Sequence, residues 1–310
     1  MNILFVQPGD RPDYQCDMLF HGLNNMSGIT VYTNKDAWFM YQGIEPDKLS
    51  SLYGKGFSIY NRLSVDKRID DSISIIEKVR AKFYDCIIYG SVYGCLDYLN
   101  DVLLVYRKQE VFFIDGGDYD FSLSYTIKPI FRLKYIHSFY KQYSDAFKLS
   151  DKGFYFKREL RNNDRRYFFP ISFAIPKENI IAPPFPSKTR DQASIIPGLI
   201  STYTYDNETD YYNGYAISKY AVTTKKGGWD CLRHYEILAN NCIPYFPNIE
   251  KIPLYTMHVF PKNLIIETNK LIEHKSLTNS VCSYYSNILY QYTKNTLTTK
   301  KLAEYVLSFL

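Results

Sequence analysis

The chain has 310 residues, of which 46% are hydrophobic and 22% charged. Those values belong to a globular chain and exclude disordered, collagenous and coiled-coil classes. At about 150 residues per domain, the length suggests two domains or one large one. No apolar run reaches the roughly eighteen residues of a membrane-spanning helix. The start, Met1-Asn2-Ile3-Leu4-Phe5-Val6-Gln7, lacks a basic segment and a long apolar stretch, which predicts a cytoplasmic protein without a secretory signal. Net charge is +5, from 37 basic and 32 acidic residues. This mild excess suits an anionic small ligand and is too small to mark a nucleic-acid binder by itself.

Six cysteines (Cys16, Cys86, Cys95, Cys231, Cys242 and Cys282) form no C-x-x-C pair and no compact Cys/His cluster. Buried reduced thiols are expected, rather than a zinc site or a disulfide framework. Aromatics reach 17%, with 31 tyrosines. Abundant Asn, Ile and Lys make compositional bias the plain explanation, although a flat ring with a polar tip also suits a sugar or base site.

In chain order, residues 3–6 read as a buried strand feeding the turn Gln7-Pro8-Gly9-Asp10, and residues 29–32 as a second strand. Helical spacing over residues 70–83 leads into a strand at 85–90. A helix around 96–106 is followed by a strand at 111–114 that ends in Asp115-Gly116-Gly117-Asp118. Residues 130–148 are expected to be helical, 153–156 a strand and 168–175 extended. A proline cluster (Pro176, Pro183, Pro184, Pro186) is the best linker candidate and places a boundary near Phe185. Beyond it, strands are expected at 193–196, 220–224 and 242–246, a helix at 232–240, an extended segment at 259–266, and helices from 271 to the end. Alternation of strand and helix predicts parallel sheets covered by helices on both faces.

The most informative stretch is residues 218–247: a strand, the loop Lys225-Lys226-Gly227-Gly228, a helix, then a strand entered through Ile243-Pro244. Adjacent glycines after a strand allow close approach of a bulky anion. The helix start supplies free amides and partial positive charge, suited to a diphosphate. Lys225, Lys226 and Arg233 add formal charge. Arg233, Glu236 and Asn240 lie three and four residues apart and share a helix face. Glu236 is placed to accept hydrogen bonds from a ribose diol. Asp230 competes with this reading, because it stands where a side chain caps a helix and takes up its amides.

This stretch resembles the donor-binding segment of GT-B-fold glycosyltransferases, including exostosin-like and group 1 families. The matching residues are Ser218-Lys219-Tyr220, Gly227-Gly228, Arg233, Glu236 and Asn241-Cys242-Ile243-Pro244. The resemblance implies an α/β, GT-B-like chain of two Rossmann-like domains with a cleft between them. Residues 1–185 would be the acceptor-side domain, and residues 186–310 the nucleotide-sugar-binding domain with closing helices. It implies the donor ribose on Glu236, with Lys225, Gly227, Gly228 and Arg233 completing the donor site. Asn241 stands where glycine is usual, and asparagine also tolerates a left-handed backbone. Gly228 stands about two helical turns before Glu236, where many retaining members carry a second glutamate. Whether transfer retains or inverts the anomeric configuration is therefore open.

In the first half, Asp118 and Asp115 sit at a strand end, where open α/β sheets place ligands, and are the candidate catalytic bases. Asp10, His21, Lys157 and Arg158 are candidate substrate-binding groups. Asp118-x-Asp120 also reads as the metal-binding D-x-D of GT-A transferases. Roughly one such pair is expected by chance, so no metal and no cofactor beyond the nucleotide-sugar co-substrate is assigned. The basic run at residues 157–161, with Arg165 and Arg166, reads first as a solvated face. The function expected is transfer of a sugar to a glycan acceptor, with surface polysaccharide synthesis the default. The rivals are a nucleic-acid-binding protein that stacks bases on tyrosines, a glycosyltransferase acting on DNA, and a catalytically silent sugar- or nucleotide-binding module.

Overall fold

The computed structural model describes residues 1–64, 66–120, 132–161 and 166–310, with residues 132–140 described by their backbone. The first half builds strands β1 (Asn2–Val6), β2 (Thr30–Thr33), β3 (Cys86–Tyr89), β4 (Val111–Asp115), β5 (Phe154–Lys157) and β6 (Phe168–Pro170). They form one sheet in the order β2-β1-β3-β4-β5-β6, every pair parallel. Helices α1 (Tyr14–Asn24), α2 (Pro46–Ser50), α3 (Ser72–Arg80), α4 (Leu99–Val105) and α5 (Arg132–Ser150) lie along the connections. A second parallel sheet joins β7 (Arg190–Gln192), β8 (Ser218–Val222) and β9 (Ile243–Tyr245) in that order. Helices α6 (Glu208–Ala216), α7 (Leu232–Ala239), α8 (Lys262–Glu273), α9 (Asn279–Thr296) and α10 (Thr299–Leu307) accompany it. This is the mixed α/β architecture expected: two parallel-sheet units with a cleft between them.

Short apolar runs make the large sheet because each strand buries both faces. Ile3 and Phe5 face one layer, Leu4 and Val6 the other, and β4 divides its residues in the same way. The first layer does not stop at the unit boundary. Tyr235, Leu238 and Phe246 of the second unit, and Leu302 and Val306 of α10, belong to the same apolar cluster. Each such side chain contributes about 1.5–3 kcal/mol when buried, so this seam resists separation of the units. The last helix returns to the first unit and packs on α1. Gly22 permits the crossing, since a Cβ there would collide with the main-chain carbonyl of Thr299.

Two segments differ from the sequence reading. Ala193 is the last residue tied to the small sheet, through its N–H to the Tyr220 carbonyl (2.9 Å), and the strand lies before it rather than over residues 193–196. Pro197 and Gly198, with Gly198 at φ 87°, then turn the chain away. Residues 262–266 are helical, not extended: α8 starts directly after Pro261. Its β-branched isoleucines suggested a strand, but Ile265, Thr268 and Asn269 form one buried face at helical spacing. All six cysteines are free and buried. No helix of the described residues is long and apolar enough to cross a membrane.

Candidate functional site

A cavity of about 470 Å³ lies between the units, at the carboxyl ends of both sheets. That edge is where parallel α/β sheets gather their ligand-binding loops. The first unit contributes Tyr14 at the start of α1, the turn at residues 53–57, Asp118 after β4, Arg158 after β5 and Phe173 after β6. The second contributes Ile195, Tyr203 and Tyr205, then Tyr211 on α6, residues 226–228 and 230–231 between β8 and α7, and Leu232, Arg233 and Glu236 on α7. Aromatic rings and cationic groups therefore share the walls.

Helix α7 carries Arg233 and Glu236 into this cavity. No side chain caps its start. The Asp230 carboxylate turns away and accepts from the Phe173 N–H (2.8 Å) and the Tyr235 hydroxyl (2.9 Å). Burial pushes its carboxyl up to about 6, against the opposing charge of Arg158. Glu236 is buried, with one oxygen accepting from the Ser58 hydroxyl and the other from the Tyr211 hydroxyl. Burial raises its carboxyl, while these two hydroxyls and then Arg233 oppose the shift. A carboxylate offers about four acceptor positions, so two donors leave room for more. Arg233 donates to the Tyr203 hydroxyl (3.0 Å) and lies 5.3 Å from that ring's centroid. Its Nε is buried without a partner. Asn240 shares the helix face but bonds back to the Glu236 carbonyl (2.8 Å).

The Gly227-Gly228 loop is pinned from below by His234. Its Nδ1 meets the Thr223 hydroxyl (2.8 Å) and its Nε2 the Trp229 carbonyl (2.9 Å). A carbonyl only accepts, so the ring proton sits on Nε2, and burial pushes the imidazole down to about 3. Above the glycines stand carboxylates of the first unit rather than open space. A Cβ on Gly227 would collide with Asp118, and one on Gly228 with Glu159. Arg158, 3% exposed, organises both. It donates to the Gly116 carbonyl (3.0 Å), the Asp230 carbonyl, Glu159 (3.4 Å) and Asp118, and lies 4.5 Å from the centre of the Phe173 ring.

Several expected site residues lie elsewhere. Asp115 and Lys157 are fully buried and pair with each other at 3.0 Å. Asp115 also accepts from Tyr155 (2.7 Å), Tyr93 (3.0 Å) and the Gly117 N–H (2.9 Å). It is therefore the anchor of the loop that carries Asp118, not a base at the cavity. His21 is buried where α1 meets α10, between Thr299 and Glu178, each at 2.9 Å. Asp10 is exposed after β1, away from the cavity lining. Lys225 stacks over Trp229 at 5.1 Å and does not line the cavity either, whereas Lys226 does. The basic run divides: residues 157–160 are buried, Arg161 is half-buried and pairs with Asp120 at 3.2 Å, Arg166 is exposed as a solvated face requires, and Arg165 lies outside the described residues. Asn241 adopts φ 52°, the left-handed backbone that glycine supplies elsewhere.

Sequence reasoning missed the turn at residues 53–58 and the tyrosines flanking α6. The available signal was the spacing Gly54-Lys55-Gly56, all three at positive φ. Lys55 pairs with Asp206 (2.8 Å), and Arg62 with Glu208, so ion pairs across the cleft seat this turn on the second unit. Among the described residues, no group of three or more His, Cys, Asp or Glu is gathered as a metal site.

No family model matches the chain, and no curated protein does. Among solved structures, the chain is similar to CalG4, the calicheamicin glycosyltransferase, over 100% of this chain and 98% of that one, with TM-score 0.39 and 10% sequence identity.

Proposed function

We propose that this chain is a glycosyltransferase that takes its sugar from a nucleotide-linked donor. The observation that carries the reading is that Arg233 and Glu236, one helical turn apart on α7, both reach the cavity between the units. Glu236 holds the ribose diol, and Arg233, Lys226 and the uncapped amides of α7 hold the diphosphate. The donor lies on the second unit (residues 186–310) and the acceptor, a glycan hydroxyl, against the first (residues 1–185). Asp118 is the first-unit residue with an exposed carboxylate at the cavity, and it takes the acceptor proton in an inverting transfer. Cationic side chains and oriented amides stabilise the leaving diphosphate, and no metal is required.

A thermal-shift panel of UDP-, GDP-, ADP- and CMP-linked sugars, each with and without a divalent cation, tests this. Ligand that binds only the folded state raises the unfolding temperature. The expected result is a shift with one nucleotide family, unchanged by EDTA and lost in Glu236→Ala. Failure of every donor to shift the unsubstituted protein overturns the reading, and a shift that needs the cation overturns its metal independence.

A further inference from the structure

We infer that the Asp118 carboxylate is a displaceable stand-in for a phosphate: it occupies the Arg158 guanidinium and the space over Gly227 that an anionic ligand takes in its place. The identity of that anion as the donor diphosphate rests on the function proposed above; the displacement itself does not.

Arg158 is buried at the floor of the cavity, and a buried guanidinium demands anionic or carbonyl partners. Its partners are not alike. The carbonyls of Gly116 and Asp230 are main chain, and Glu159 is 2% exposed and also bound to the Asp230 N–H (3.0 Å). Those three are built in. Asp118 is different: its side chain is 52% exposed and stands on a loop beyond β4 rather than on a helix or strand. The pair is thus a buried cation facing a half-exposed anion at a ligand-sized cavity.

Gly227 supports the same conclusion from the other unit. The volume a side chain would fill there is taken by Asp118 Oδ2. An oxygen of a phosphate has the same size and the same sign of charge, and a guanidinium fork binds phosphate as readily as carboxylate. Lys226 and Arg233 lie alongside on the cavity wall. Two oxygens of a diphosphate therefore find more cationic partners here than one carboxylate does.

Displacement has a chemical consequence. While it is bound to Arg158, the Asp118 carboxylate is engaged in an ion pair and placed over Gly227. Once the donor takes Arg158, the carboxylate is released beside the donor. The acceptor hydroxyl then passes its proton to Asp118. Its oxygen bonds to the anomeric carbon, and the bond from that carbon to the diphosphate oxygen breaks with its electron pair leaving on the phosphate. The carboxylate is therefore freed for the acceptor proton only with donor in place.

The test is calorimetric titration of inorganic pyrophosphate, UDP, GDP and ADP into the unsubstituted protein, Asp118→Asn and Arg158→Lys. Asp118→Asn keeps the shape of a half-exposed side chain and removes the competing charge. Pyrophosphate is expected to bind it roughly three- to tenfold tighter, and Arg158→Lys more weakly than the unsubstituted protein. Equal or weaker pyrophosphate binding by Asp118→Asn, or none by either protein, overturns the displacement. Tighter pyrophosphate binding with no response to any nucleoside diphosphate supports the displacement and removes the glycosyltransferase reading. Equal nucleoside diphosphate binding by both proteins retains that reading and removes the displacement. With a donor in hand, Asp118→Asn should lower both KM for donor and kcat, a split that a merely structural aspartate would not produce.

Discussion

The Ser58 hydroxyl of the first unit donates its hydrogen to the Glu236 carboxylate of the second. The same oxygen of Ser58 accepts from Tyr212 (2.6 Å), and its N–H donates to Glu208 (2.6 Å). One fully buried serine therefore ties the turn at residues 53–58 to both α6 and α7. The carboxylate proposed to hold the donor ribose is therefore held from across the cleft.

Ser58 has φ 77°, a left-handed backbone that costs a residue with a Cβ about 1–2 kcal/mol. Ser58→Gly relieves that strain and Ser58→Ala retains it, while both remove the hydroxyl. Donor affinity is expected to fall about five- to tenfold in both, with Ser58→Gly the more stable variant in urea by about 1 kcal/mol. Unchanged donor affinity in both variants would mean that Ser58 does not position Glu236.

The imidazole of His234 sits at about 3, against about 6.5 in an unfolded chain. Between those values the unfolded chain binds the extra proton. The stabilisation from this residue is thus complete above about pH 6.5 and is lost as the pH falls toward 3. Across the whole window the loss is on the order of 4–5 kcal/mol. The His234 ring signals in an NMR titration should stay constant from about pH 8 to about pH 5. A midpoint near 6.5 would contradict the buried neutral ring.

Gly228→Ala and Gly227→Ala should differ. Glu159 above Gly228 is buried and held by both Arg158 and the Asp230 N–H, whereas Asp118 above Gly227 is half exposed and held by Arg158, with solvent to turn into. Overpacking against the buried group is expected to cost about 2–3 kcal/mol, and against the half-exposed one less than about 1. Urea unfolding of the two variants measures this, and equal losses would show that both carboxylates are equally held.

Lys157→Met leaves Asp115 as a buried charge without its cation and should destabilise the protein by about 3–5 kcal/mol. Adding Asp115→Asn should recover part of that loss, since the remaining side chain is neutral and still accepts from Tyr155 or Tyr93. A double-mutant cycle by urea denaturation checks it. A neutral Lys157→Met would show that the pair carries no stability.

What was legible from residue order alone was what depends on local pattern. Apolar runs such as Ile3-Leu4-Phe5-Val6 become strands because burial on both faces demands continuous hydrophobicity. The loop at Gly227-Gly228 and the single face shared by Arg233 and Glu236 follow from backbone freedom and helical spacing. Local pattern also misled at Ile265 and Ile266, which lie inside α8. Tertiary structure alone decided which charges face the cavity. Lys157 and Arg158 are adjacent on β5 and just beyond it, yet one is sealed against Asp115 and the other reaches the ligand space, because successive residues on an extended chain point in opposite directions. It also decided what lies above the two glycines and what holds Glu236. Asp118, Glu159 and Ser58 are remote in sequence and arrive there only because the carboxyl edges of the two sheets face each other, a contact between units that no local spacing encodes.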